Sequence, residues 1–284
     1  MVCTSGVSAK TYIVEDFHGN ELCFEKPPQR IISLAPSTTE IIYGLNGGGR
    51  LLAITDESNY PENAKSKISV GGLFLNYEKI VTLEPDLVIL EDTLRPGEIK
   101  KLKKLKLPVL VVRSDNYKNF LKSIEIISCA LGQKEHGKRE IQELQARLGM
   151  IAQCLKGVDY SRRPTIFIEI WNQPLMTAGS DTFINHVVTN AGGKNLFSDM
   201  RGYPQINPES LLVGNPDIII LTTSTVDDFQ KKPVWKNLKA VRNNRVYYVN
   251  PDILVRPTMR LFEGAKILYN IFYPDRILTN NISD

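Results

Sequence analysis

Residues 11 to 25, TYIVEDFHGNELCFE, alternate apolar and polar positions around a His-Gly-Asn turn, which predicts an N-terminal hairpin. Beyond it the alternation stops. RIISL (30–34), LLAI (51–54), DLVIL (86–90) and PVLVV (108–112) are short runs, apolar nearly throughout, separated by helical patterns. Strands buried on both faces read this way, and they predict a parallel sheet flanked by helices. The second half repeats the order with TIFIEI (165–170), a helix ending in Ala191-Gly192-Gly193, DIIIL (217–221) and RVYYV (245–249). The matching helix of the first half ends in Asn46-Gly47-Gly48, glycine being suited to a left-handed stop. Between the halves Ile141, Leu144, Leu148, Ile151 and Leu155 recur at spacings of 3, 4, 3 and 4. That periodicity predicts one amphipathic helix from Lys134 to Lys156, about 34 Å long. The expected fold is α/β, with two Rossmann-like lobes of parallel sheet. An N-terminal lobe with its leading hairpin spans 1–132, a linking helix 133–158 and a C-terminal lobe 159–284. A single helical strut, unlike a flexible linker, predicts lobes held at nearly fixed separation with a small opening motion.

The two halves share more than their order. NYEKIVTLEPDLVIL (76–90) returns as NPESLLVGNPDIIIL (207–221) at a constant offset of 131, with Asn76/Asn207, Glu78/Glu209, Pro85/Pro216 and Asp86/Asp217 among the identities. Tyr60-Pro61 returns as Tyr203-Pro204. Asn at an N-cap, Pro at the first helical position and Glu in the first turn account for Asn76, Asn207, Pro208, Glu78 and Glu209 as helix-start chemistry. The same pattern also places one acidic knob on each of two pseudo-symmetric lobes, ready for a partner with two basic sockets.

Composition narrows the class. Hydrophobic residues at 42% and charged residues at 23% are ordinary for a globular protein, and no apolar run approaches a membrane span. The net charge of +4 comes from 35 basic and 31 acidic residues along the whole length, and the densest run, KKLKKLK (100–106), reads as the solvated face of a helix rather than a nucleic-acid patch. Cys3, Cys23, Cys129 and Cys154 show no metal spacing. Cys129 and Cys154 read as packed thiols, whereas Cys3 heads a polar, small-residue stretch like the tether of a lipid-modified cysteine, or is an incidental terminal residue. His18, His136 and His186 are dispersed, which argues against a metal-ion receptor. No G-x-S-x-G elbow exists, and Asn46-Gly47-Gly48-Gly49 ends a helix instead of opening one, so neither a hydrolase nor a nucleotide enzyme is expected.

The segments PPQRIISLAPSTTEIIYGL (27–45), NYEKIVTLEPDLVIL, EIWNQPLMTAG (169–179), NAGGKNLF (190–197), YPQINPES (203–210) and VRPTMRL (255–261) resemble the solute-binding proteins of ABC importers for cobalamin, siderophores and haem. The resemblance runs from about residue 12 to 273 and implies an extracytoplasmic, monomeric, non-enzymatic receptor without a resident cofactor. It further implies a dimeric ABC permease whose arginines receive Glu78 and Glu209. A ligand cleft between the lobes is expected, at the carboxyl ends of the strands. The resemblance places ligand contacts at Ser37, Phe74, Glu91, Trp171, Met176, Tyr203, Asp252 and Arg256. Ser37 opens what reads as a capping box, Ser37-Thr38-Thr39-Glu40, at a helix start. Trp171 and Tyr203 also read as half-buried core aromatics, and Asp252 with Arg256 as a surface pair. EIWNQPLMTAG, YPQINPES and the Asp252/Arg256 spacing are most similar to cobalamin binders, which makes a corrinoid the expected ligand and a ferric siderophore the alternative. Gly72, where haem binders commonly have Tyr, counts against haem.

Overall fold

The computed structural model describes residues 12–92, 97–276 and 278. Strands β1 (Tyr12–Glu15) and β2 (Glu21–Phe24) form the expected antiparallel hairpin, Tyr12 opposite Phe24. Its turn is gathered by Asp16, whose Oδ1 accepts from the backbone N–H of His18 and of Asn20 at 2.9 and 2.8 Å.

Five parallel strands follow: β3 (Ile31–Ser33), β4 (Leu51–Ile54), β5 (Ile68–Ser69), β6 (Leu87–Glu91) and β7 (Val109–Val112), in the spatial order β5-β4-β3-β6-β7. Successive strands run outward from β3 in one direction and from β6 in the other, so the winding reverses between them. Such a reversal opens a crevice at the carboxyl ends of the two strands. Helices α1 (Pro36–Gly44), α2 (Tyr77–Thr82) and α3 (Glu98–Lys104) lie in the crossovers, and α4 (Tyr117–Ala130) follows the last strand. Ile32, Val88, Leu90 and Val111 of the sheet pack with Ile80 of α2 and Leu102 of α3 in one buried cluster. Each such residue contributes about 2 kcal/mol on leaving water. The hairpin is fastened to this sheet. Phe17 N–H donates to Val111 O at 2.9 Å, while buried Asp92 binds Arg113 at 2.9 and 2.6 Å and lies 2.7 Å from His18 Nε2.

A continuous helix, α5 (Lys134–Cys154), then runs 21 residues, about 31 Å. Leu144, Leu148, Ile151 and Leu155 are buried as the periodicity requires, and Ile141 is half-buried. The chain divides into two compact units, and α5 belongs to both: residues up to Ser114 with Lys118–Ile141 form one, Asp115–Tyr117 with Gln142 onward the other.

The second sheet comprises β8 (Thr165–Glu169), β9 (Lys194–Asn195), β10 (Ile218–Leu221) and β11 (Val246–Tyr248), parallel and ordered β11-β10-β8-β9, with its reversal between β8 and β10. Around it lie α6 (Phe183–Asn190), α7 (Pro208–Gly214), α8 (Val226–Lys231), α9 (Lys239–Arg242), α10 (Pro251–Leu254) and α11 (Leu261–Phe272). Phe167, Ile219, Leu221 and Val246 pack with Leu211, Phe229 and Trp235 in its core.

Two local expectations are corrected. Helix α1 starts at Pro36 with Ala35 as its cap residue, so Ser37 lies inside the first turn and no capping box forms. A proline at the first helical position has its φ already set and opens the helix ahead of the serine. Instead, the Thr38 and Thr39 hydroxyls donate to Ala35 O at 2.9 and 3.1 Å. The left-handed residue after α1 is Asn46, at φ 56°, rather than a glycine; after α6 it is Gly192, at φ 85°. Cys3 lies outside the described residues. Cys129 and Cys154 are half-buried free thiols and Cys23 is exposed.

Candidate functional site

The repeated element builds the same local structure twice, and its positions can be sorted by the work each does. Asn76 Oδ1 accepts from Lys79 N–H at 2.9 Å, a true N-cap of α2. Asn207 precedes α7 without a side-chain cap bond, and there Pro208 alone starts the helix. Each helix stops at a left-handed residue, Glu84 at φ 45° and Asn215 at φ 40°, followed by Pro-Asp. Asp86 then accepts from the backbone N–H of Gln29 and Arg30 at 2.7 and 2.8 Å, and Asp217 from that of Thr165 at 2.8 Å. In each unit, therefore, the repeated Asp ties down the entry of the sheet's first central strand. Burial would raise the Asp217 pKa, but the bonds from Lys239 and Thr165 outweigh it and hold the carboxyl below its usual range.

Glu78 and Glu209 are the members of the repeat with no such duty. Both are exposed in the first turn of their helices, and neither makes a hydrogen bond or ion pair among the described residues. Ile80 and Leu211, two positions on in each case, are fully buried, which turns each glutamate away from the core.

The carboxyl ends of the central strands carry the other predicted residues. In the first unit Ser37 is 4% exposed and its Oγ has no hydrogen-bond partner. Glu91, the last residue of β6, is 2% exposed and its Oε1 accepts from Ser114 N–H at 2.6 Å. Phe74 stands in the loop after β5 with 84% of its surface exposed. That loop is tight. Gly71 has φ 99°, and a Cβ on it would meet Phe74 O at 2.3 Å, so only glycine permits the turn that displays the phenylalanine.

In the second unit Trp171, 52% exposed, bridges Met176 in antiparallel fashion, and Met176 bridges Gln205. The Trp171 indole N–H donates to Gln173 O at 2.8 Å, fixing the ring. Tyr203 sits in the loop before α7; although 39% of the residue is exposed, burial of the phenol, with the charges of Asp115 and Asp181, pushes its pKa up to about 12. These three residues are thereby assembled on one short extended platform next to α7. Asp252 and Arg256, at and just past α10, are joined by a 2.7 Å ion pair, and Arg260 also donates to Asp252 O at 3.1 Å. A residue that sequence reasoning missed is Glu169 at the end of β8. It is fully buried and accepts from Thr223 Oγ1, Ser224 N–H and Ser224 Oγ at 2.8 to 2.9 Å. Its sequence signal was a charge near the end of the otherwise apolar run TIFIEI.

Two doubly wound α/β units on one continuous helix, each offering an exposed glutamate without a side-chain partner, with exposed aromatics on loops at Phe74 in the first and at Trp171 and Tyr203 in the second, suit a solute receptor. The chain belongs to the periplasmic binding protein family, whose model matches residues 31–253. YvrC of Bacillus subtilis, an uncharacterized ABC transporter substrate-binding lipoprotein, is 32% identical over 268 residues, 92% of this chain and 85% of that one. A vitamin B12-binding protein of Vibrio campbellii is 30% identical over 257 residues, 85% of this chain and 92% of its own. The crystal structure of a possible iron-binding, periplasmic solute-binding protein from Staphylococcus epidermidis matches with a TM-score of 0.78 at 28% identity, over 87% of this chain and 100% of that chain. The chain is thus a substrate-binding component of the ABC-transporter type. Among the described residues no helix is long and apolar enough to cross a membrane.

Proposed function

We propose that the protein works outside the cytoplasmic membrane, captures a cobalamin-like corrinoid on the loops at the carboxyl ends of its central strands, and hands it to an ABC permease through Glu78 and Glu209. The observation that carries the ligand reading is the exposure of Phe74, Trp171 and Tyr203 on short, bonded loops. Rigid aromatics left in water offer a flat macrocycle large apolar contact at low entropy cost. The vitamin B12-binding relative supports the same ligand. Arg256 provides a donor for the amide oxygens of a corrinoid rim, with Asp252 holding the guanidinium in place.

A ferric siderophore is the second reading, favoured by the iron-binding structural neighbour. The acidic character of the strand ends, with Glu91 and Glu169 both buried there, speaks against a strongly anionic chelate. Calorimetric titration with cyanocobalamin, a ferric hydroxamate and haem separates the two. Saturable one-to-one binding of the corrinoid alone is expected; uptake of the iron chelate alone would replace the corrinoid in this reading.

A further inference from the structure

Residues 98–106, EIKKLKKLK, hold five lysines against one glutamate, the densest basic run of the chain. This stretch is α3 and its exit. Leu102 is fully buried and Ile99 half-buried, while Lys100, Lys103 and Lys104 are exposed and adjoin one another at the i, i+3, i+4 spacing. Lys101 is paired with Glu98 at 3.1 Å, while the side chains of Lys100, Lys103, Lys104 and Lys106 make no hydrogen bond or ion pair among the described residues. Leu105, between them, is 43% exposed.

Folding gains little from this arrangement. A helix C-terminus favours a lysine or two, but like charges four apart, as at Lys100 and Lys104, repel. The equivalent crossover of the second unit is basic as well, but its charges are dispersed over α8, α9 and the loops around them, with Asp227 and Asp228 opening α8 and Lys239 tied to Asp217. The basic face also has a telling neighbour. α3 packs in one core cluster with α2, and Lys101 Nζ lies 5.5 Å from the ring centre of Tyr77, the residue before Glu78.

We propose that the α3 lysine face is a contact for an anionic phospholipid surface, which holds the receptor at the membrane beside its permease. The orientation rests on the reading of Glu78 as a permease contact: a helix docked on a membrane-embedded protein brings its packed neighbour toward the headgroups. A cluster of four or more lysines on an amphipathic helix is what such a surface recognises, and its attraction decays within about 8 Å at physiological salt.

The full chain, without permease, is floated with vesicles of phosphatidylcholine and with vesicles also containing phosphatidylglycerol. Binding only to the second, weakening as salt rises, is expected. A Lys100→Gln, Lys103→Gln, Lys104→Gln variant loses on the order of a hundredfold in partitioning. A charge-matched control, Lys122→Gln, Lys134→Gln, Lys138→Gln, on exposed positions of α4 and α5, keeps most of it. Equal loss in both variants, or no preference for phosphatidylglycerol, overturns the proposal. So does an α3 variant that leaves vesicle binding intact but loses the permease in neutral nanodiscs, which would make the face a protein contact. Glu78→Arg with Glu209→Arg adds positive charge and does not reduce vesicle binding whether or not those residues dock, so the two readings fail separately.

Discussion

His186 shows how one half-buried side chain sets a pH limit on the second unit. It stacks on Tyr117 with ring centres 3.7 Å apart and planes 13° from parallel, and its Nε2 is buried without a hydrogen-bond partner. Burial lowers its pKa to about 4 from 6.5. The folded state therefore favours the neutral ring: the associated stability is fully present above pH 6.5, and it declines as pH falls toward 4, where the unfolded chain binds the extra proton first. Discounting for the part of the ring water still reaches, we expect a loss of about 2 kcal/mol across that window. Urea denaturation of the wild type and His186→Gln between pH 7 and pH 4 checks it. The variant's curve should be flatter, and parallel curves would remove His186 from the account. A second residue-scale expectation concerns Asp217. Replacing it with Ala strands the Thr165 N–H and frees Lys239, at a cost of about 2 kcal/mol, readable as a lowered urea midpoint with unchanged slope. The sequence flagged Asp217 by repetition alone. Its duty was hidden because its partner, Thr165, is 52 residues away in the chain.

At the scale of elements, α5 was legible because its apolar spacing is strictly helical and long enough to leave no competing reading. What holds it in place was not. Gly137 lies where a Cβ would stand 2.3 Å from Ser128 Oγ and 2.4 Å from Ser128 Cβ, so α5 rests against α4 in the first unit through a missing side chain. In the second unit Leu155, just past the helix, covers Gly192, where a Cβ would meet it at 2.5 Å. Gly137→Ala would gain about 1 kcal/mol of helix propensity in isolation but overpacks this contact, for an expected net loss of about 1–2 kcal/mol. Adding Ser128→Gly should recover most of it in the double variant; no recovery would place the strain elsewhere. Strands β5 and β9, two residues each, escaped the pattern because a period of two cannot be read from Ile68-Ser69 or Lys194-Asn195. The supposed capping box misled for a different reason. Its spacing was present, but Pro36 decided where the helix begins.

Over the whole molecule, the repeat is the feature that sequence and structure describe together. Its apolar positions fill two cores, its Asp residues anchor two sheets, and its left-handed residues stop two helices. Glu78 and Glu209 contribute no more to folding than charge in a first helical turn, and charge kept twice at matching positions without a side-chain partner among the described residues suits an external one with matching two-fold character. Each glutamate is exposed and unbonded, so reversing it should change stability by less than about 0.5 kcal/mol. The effect on the partner is larger, since an arginine facing an arginine in a shielded contact turns attraction into repulsion. Either Glu78→Arg or Glu209→Arg alone should weaken the complex with the permease by about 30-fold or more, and the two together should abolish it, while the corrinoid dissociation constant stays within about twofold of wild type. Arg256→Ala should do the reverse, weakening ligand binding by about tenfold and leaving docking intact. Pull-down on permease in nanodiscs, paired with calorimetry of the same variants, reads both quantities. Parallel losses of docking and ligand affinity in the double reversal would assign the glutamates to the fold, and a permease complex that survives it would leave the repeated pair without the partner their exposure implies.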